Sequence, residues 1–105
     1  MAGIVIKIVI EDTHPPVWRR VVVPEHISFY DLHQVIQTVF EWEDAHMHIF
    51  EAPKDRFEIV TNARDAYTDY FPEKKISVSA IAERESWVRY VYDTVSYTHL
   101  TLPTN

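Results

Sequence analysis

The segment Ser28-Phe29-Tyr30-Asp31-Leu32-His33-Gln34-Val35-Ile36-Gln37-Thr38-Val39-Phe40-Glu41 carries the strongest local signal in the chain. Ser28 suits a helix N-cap, and Asp31 follows at the third helical position in the manner of a capping box. Ile27 and Leu32 stand where a hydrophobic staple puts its two apolar partners. Leu32, Val35, Ile36, Val39 and Phe40 recur at helical spacing and form one apolar stripe. The spacing predicts a helix from Phe29 to about Glu41. Such a stripe needs an apolar surface to cover, and the upstream sequence supplies one. Ile4, Ile6, Ile8 and Ile10 alternate with Val5, Lys7 and Val9, the period-two pattern of a strand with an isoleucine face. Val17 to Val23 resumes as a second strand that Pro24 stops, and the two pair antiparallel across Asp12-Thr13-His14-Pro15-Pro16.

Downstream, Ala45 to Phe50 reads as a third strand, with His46, His48 and Phe50 on one face and Met47 and Ile49 on the other. Pro53-Lys54-Asp55 turns into a fourth strand, Phe57 to Val60. Thr61 to Lys75 has no clean period and reads as loop. Ile76 to Ala82 reads as a short helix capped by Ser77, and Trp87 to Asp93 as a final strand. The expected fold class is α+β: a mostly antiparallel sheet with one long helix packed on one face, cut short at its C-terminal end.

Composition removes many functions. The 105 residues include no cysteine and one glycine, Gly3. Thiolate metal sites, disulfides and cysteine nucleophiles are therefore absent, as are the glycine-spaced loops that cradle phosphates. The net charge of −6 opposes sequence-independent nucleic-acid binding unless basic groups cluster locally. Apolar runs are too short for a membrane span, and a cytoplasmic setting is expected.

Three motifs occur in a fixed order: Pro15-Pro16-Val17-Trp18-Arg19-Arg20, then Leu32-His33-Gln34-Val35-Ile36-Gln37, then Trp42-Glu43-Asp44-Ala45-His46-Met47-His48-Ile49-Phe50. Together they resemble the plasmid pRiA4b open-reading-frame-three-like family, whose pattern runs Pro-Pro-x-Trp-Arg-Arg, Leu-His-x-x-Ile-Gln, Gly-Trp-x-x-x-His-x-His-x-Phe. Tyr90-Val91-Tyr92-Asp93 is similar to the start of a further family segment, Tyr-x-Tyr-Asp-Phe-Gly-Asp-x-Trp-x-His. The resemblance implies an α+β domain associated with plasmids and transposons, in a family whose biochemical role is not established. Glu41 departs from the family by replacing a glycine, which implies a helix end without a glycine cap. From Thr94 the family pattern stops. The tail resembles a peptide that recurs at the ends of unrelated metagenome-derived sequences, where sequencing-adapter sequence has been translated. Residues 1–93 are thus expected to be the N-terminal part of a family domain, and residues 94–105 a non-family tail.

Three groups of side chains offer chemistry. His33 at the edge of the helix stripe, His46 and His48 on one strand face, and Asp93 or Asp44 as an oxygen donor make a candidate divalent-metal site. The structural alternative bonds His33 to backbone and leaves the other two on a polar sheet face. Trp18, Arg19 and Arg20 make a candidate ligand or anion site, with Trp18 and Arg20 on one face and paired guanidinium groups for a phosphate or carboxylate. The alternative pairs one arginine with Asp12, Asp44 or Asp93 and packs Trp18 beneath the helix. Tyr67, Tyr70, Phe71, Trp87, Tyr90 and Tyr92 suit a base-stacking platform, but without interleaved cations they are expected to pack.

The expected function is a non-catalytic interaction or accessory domain associated with mobile elements. It would need no cofactor, engage a protein partner and neither membrane nor nucleic acid. The alternative is a metal-dependent hydrolase or metal-binding enzyme that uses the His/Asp cluster.

Overall fold

Branched residues build the first hairpin in the computed structural model, which describes residues 3–44, 47–61, 66, 69–92 and 96–103. Strand β1 (Gly3–Ile10) pairs antiparallel with β2 (Val17–Pro24), placing Ile6 opposite Val21 and Lys7 opposite Arg20. Then follow α1 (Phe29–Val39), β3 (His48–Ala52), β4 (Phe57–Val60), β5 (Tyr70–Pro72), α2 (Val78–Ala82), β6 (Trp87–Tyr92) and β7 (Ser96–Thr101). The strands form one sheet in the order β2-β1-β7-β6-β3-β4-β5. Its pairings are antiparallel except that β4 and β5 run parallel.

The expected α+β architecture with one long helix is therefore corrected. The described residues form mostly a seven-stranded mixed sheet carrying two short helices, of 11 and 5 residues. The first helix stops early for a local reason. Glu41 takes φ 57°, its N–H donates to the Thr38 carbonyl, and the Trp42 N–H donates to the Gln37 carbonyl at 2.8 Å. That is the Schellman termination, and it requires the left-handed backbone that glycine adopts at least cost. The family's glycine position and this positive φ coincide. β5 escapes sequence detection because three residues ending in proline show no alternation. Residues 96–101, set apart above as tail, form β7 between β1 and β6.

Both helices cover the isoleucine face. Ile6, Ile8, Phe29, Leu32, Ile36, Phe50, Val78, Ile81 and Tyr90 belong to one buried cluster. Each helix is capped by a serine: Ser28 Oγ accepts from the Asp31 N–H and Ser77 Oγ from the Ala80 N–H. The helix starts are tied to each other, Phe29 N–H to the Ile76 carbonyl and Val78 N–H to the Ile27 carbonyl. On the opposite face a smaller cluster of Ile49, Val60 and Val91 packs with Ala66. Among the described residues, no helix covers the remainder of that face, over β2, β1, β7 and β6.

Candidate functional site

The core is not wholly apolar. Beneath α1, His33, Gln37, Glu73 and Tyr90 are each at most 4% exposed, so every polar atom there needs a partner. The partners form a ring. Gln37 Nε2 donates to the Tyr90 hydroxyl at 2.8 Å, which meets His33 Nδ1 at 2.6 Å. His33 Nε2 meets Asp44 Oδ1 at 2.9 Å, and the Asp44 N–H donates to Gln37 Oε1 at 2.8 Å. The donors assign the tautomer: the tyrosine O–H donates to Nδ1, leaving the proton on Nε2 for the carboxylate.

A second chain lies against the first. His48, from β3, stacks its ring on His33 with centroids 3.5 Å apart and planes 6° from parallel. Its Nε2 meets the fully buried Glu73 carboxylate at 2.8 Å, and the Thr61 hydroxyl donates to the other Glu73 oxygen. Burial, followed by the neighbouring His48, holds the His33 imidazole below its ordinary value of 6.5 against the opposing pull of Asp44. Burial would raise the Glu73 carboxyl, but hydrogen bonds from His48 and Thr61 outweigh it and hold the group below its usual value. Burial pushes the Tyr90 phenol up, which keeps it a neutral donor.

Of the candidate metal ligands, the structure brings His33, His48 and Asp44 together; His46 and Asp93 lie outside the described residues. One donor atom from each of His33, Asp44 and His48 lies within 4.8 Å of the others. The ring geometry does not suit one ion. Imidazole lone pairs lie in the ring plane, and two stacked rings 6° from parallel with centroids 3.5 Å apart do not aim their lone pairs at one cation bound at about 2.0–2.1 Å. The Nε2 of each ring already faces a carboxylate.

The arginine motif is divided between the two faces. Arg19 points to the helix-bearing side, over the Phe40 ring at 5.8 Å, with Nη1 donating to the Trp18 carbonyl at 2.7 Å. Trp18 and Arg20 occupy the uncovered face, the guanidinium 5.9 Å from the indole centroid. Trp18 is 46% exposed and so does not pack beneath the helix. Neither arginine pairs with a carboxylate among the described residues. Lys7 supplies what sequence reasoning missed: its Nζ lies 5.3 Å from the same indole, and its register opposite Arg20 is the signal. Gln37, Glu73 and Thr61 were also missed: Gln37 closes the second motif but was assigned no role, and Glu73 and Thr61 lie in no motif. The aromatic series splits too: Tyr90 is buried, Tyr70 is 46% exposed, and Tyr67 lies outside the described residues.

The family described as plasmid pRiA4b ORF-3-like protein matches residues 2–102, and the match runs through β7. A solved structure from Methanosarcina mazei Go1, titled a protein of unknown function, is similar at a TM-score of 0.81 and 31% identity. The similarity covers 99% of this chain and 61% of that one, so the chain spans about three-fifths of its length. Among curated proteins, none matches. Among the described residues, no helix is long and apolar enough to cross a membrane.

Proposed function

The chain belongs to the plasmid pRiA4b ORF-3-like protein family, and from that starting point we propose that it acts as a non-catalytic interaction or accessory domain of plasmid- and transposon-borne systems. The observation that carries this reading is the closed ring Gln37–Tyr90–His33–Asp44, in which both His33 nitrogens are engaged. A general base needs a nitrogen within reach of substrate, and His33 is 1% exposed. The ring instead fastens α1 to β6. Contact with a partner falls to the uncovered face of the sheet, where Trp18 and Tyr97 stand in solvent.

The second reading is a metal-binding enzyme, favoured by the proximity of the His33, Asp44 and His48 donors. There these residues would hold a divalent ion that polarises a water or carbonyl, after one imidazole leaves the stack. Thermal unfolding with zinc, manganese, nickel or ferrous iron separates the two. The interaction-domain reading expects no metal-dependent shift. Stabilisation by several degrees that disappears in both His33→Gln and His48→Gln would overturn it in favour of the metal site.

A further inference from the structure

Charge is segregated within this chain of net charge −6. The adjacent strands β2, β1, β7 and β6 contain no aspartate or glutamate and carry Lys7, Arg19, Arg20 and Arg89. The acidic strand residues, Glu51 and Glu58, lie on β3 and β4. On the face away from the helices, the register runs Trp18, Val9, His99, Arg89 in one row and sets Arg20 beside Lys7 in the next. Rings and cations interleave along it. Lys7 and Arg20 flank Trp18, Trp87 stacks on His99 at 4.5 Å, and Arg89 lies 5.8 Å from the Trp87 ring. Arg89 is engaged by Glu11 at 3.1 Å, while Lys7 and Arg20 have no carboxylate partner among the described residues.

We propose that this face binds single-stranded nucleic acid, with bases stacking on Trp18 and Trp87 and phosphates meeting Lys7 and Arg20. The proposal rests on the interaction-domain reading and names its partner. An exposed base has a flat π-face that an indole accepts whatever the sequence. A duplex hides those faces, and an acidic peptide would satisfy the cations while leaving the indoles without planar partners. Three strand spacings separate β2 from β6, roughly 14 Å at sheet geometry, so the two indoles address different bases of one strand. The chain's overall negative charge opposes this little, since exposed charges beyond about 8–10 Å are screened at physiological salt.

The test is fluorescence anisotropy of labelled oligo-dT with the intact chain, titrated at several salt concentrations and challenged with polyglutamate. Saturable binding is expected, weakening with salt at a logarithmic slope of about −1.4 for two phosphate contacts. Trp18→Ala should weaken it roughly five- to a hundredfold. Lys7→Gln combined with Arg20→Gln should flatten the salt slope; all three positions are exposed, and unchanged thermal unfolding would verify that the variants fold. Absence of saturable binding at low salt, or binding unchanged in both variants, overturns the proposal. Polyglutamate that displaces the oligonucleotide as well as unlabelled oligo-dT also overturns it, yet leaves the interaction-domain reading standing. Failure to bind either probe withdraws the open face from both.

Discussion

On the helix-bearing face of the sheet, Ile6, Ile8, Phe50 and Tyr90 are fully buried, whereas on the other face Val5, Trp18 and Val22 are 48%, 46% and 72% exposed. Both faces carry histidines, aromatics and ionisable groups, but water decides what those groups are worth. Under α1 they have lost their hydration and hold one another in fixed geometry, so removing one strands its partner. Over β1 and β2 the cations remain solvated and their ring contacts contribute little to folding. On the reading proposed above, the polar cluster most suggestive of chemistry serves stability, and the open face is the one offered to a partner.

The sharpest attempt to break this contrast is His48→Ala, which leaves the buried Glu73 carboxylate with Thr61 as its remaining side-chain partner in the network described above. A loss of about 3–5 kcal/mol is expected in urea unfolding; a loss no larger than that of Trp18→Ala would erase the distinction between the faces. Tyr90→Phe should cost about 1–3 kcal/mol, because His33 Nδ1 and Gln37 Nε2 both lose their partner.

Glu41→Gly tests the helix end. Relief of the left-handed strain at φ 57° should stabilise the chain by about 1 kcal/mol, read as a higher midpoint at unchanged slope.

The covered face should also sense acid. His33 titrates below 6.5 when folded, so between that ordinary value and its lowered one the unfolded chain binds more protons. Stability is therefore full above pH 6.5 and falls as pH drops through the folded value. Glu73, also lowered, adds a loss in the same direction at lower pH. Unfolding midpoints measured from pH 7.5 downward should decline, and His33→Gln should flatten the first part of the decline. Smallest of all is Arg20→Gln on the open face, expected within about 0.5 kcal/mol; a larger loss would mean that this face, too, is holding the fold.

What could be read in advance follows from how local the signals are. The start of α1 was legible because the Ser28 cap and the Leu32-to-Phe40 stripe lie within one short segment. The approach of His33 to His48 was legible as a helix edge meeting a strand face. The helix end at Val39 was not, because the stripe continues to Phe40 while Glu41 turns the backbone. Glu73 and Tyr90 join the site from segments far apart in the chain, one of them without period. Lys7 reads in sequence only as one of the residues alternating with the isoleucines, and it is the hairpin register that sets it beside Arg20. Trp18 shows the same limit: its face depends on its pairing with Val9, and a proline-containing connection does not reveal that register from sequence alone.

Among the described strands, β7 alone bridges the amino-terminal hairpin and the strands that follow α1. Six strands and both helices leave the ribosome before this keystone does. Until it arrives, the isoleucine ribbon of β1 lacks its inner neighbour, and the nascent domain presents two unsealed strand edges at its centre. Joining the two halves of this sheet is thus a suture made late, and chaperone occupancy on stalled nascent chains should stay high until residue 101 has cleared the exit tunnel.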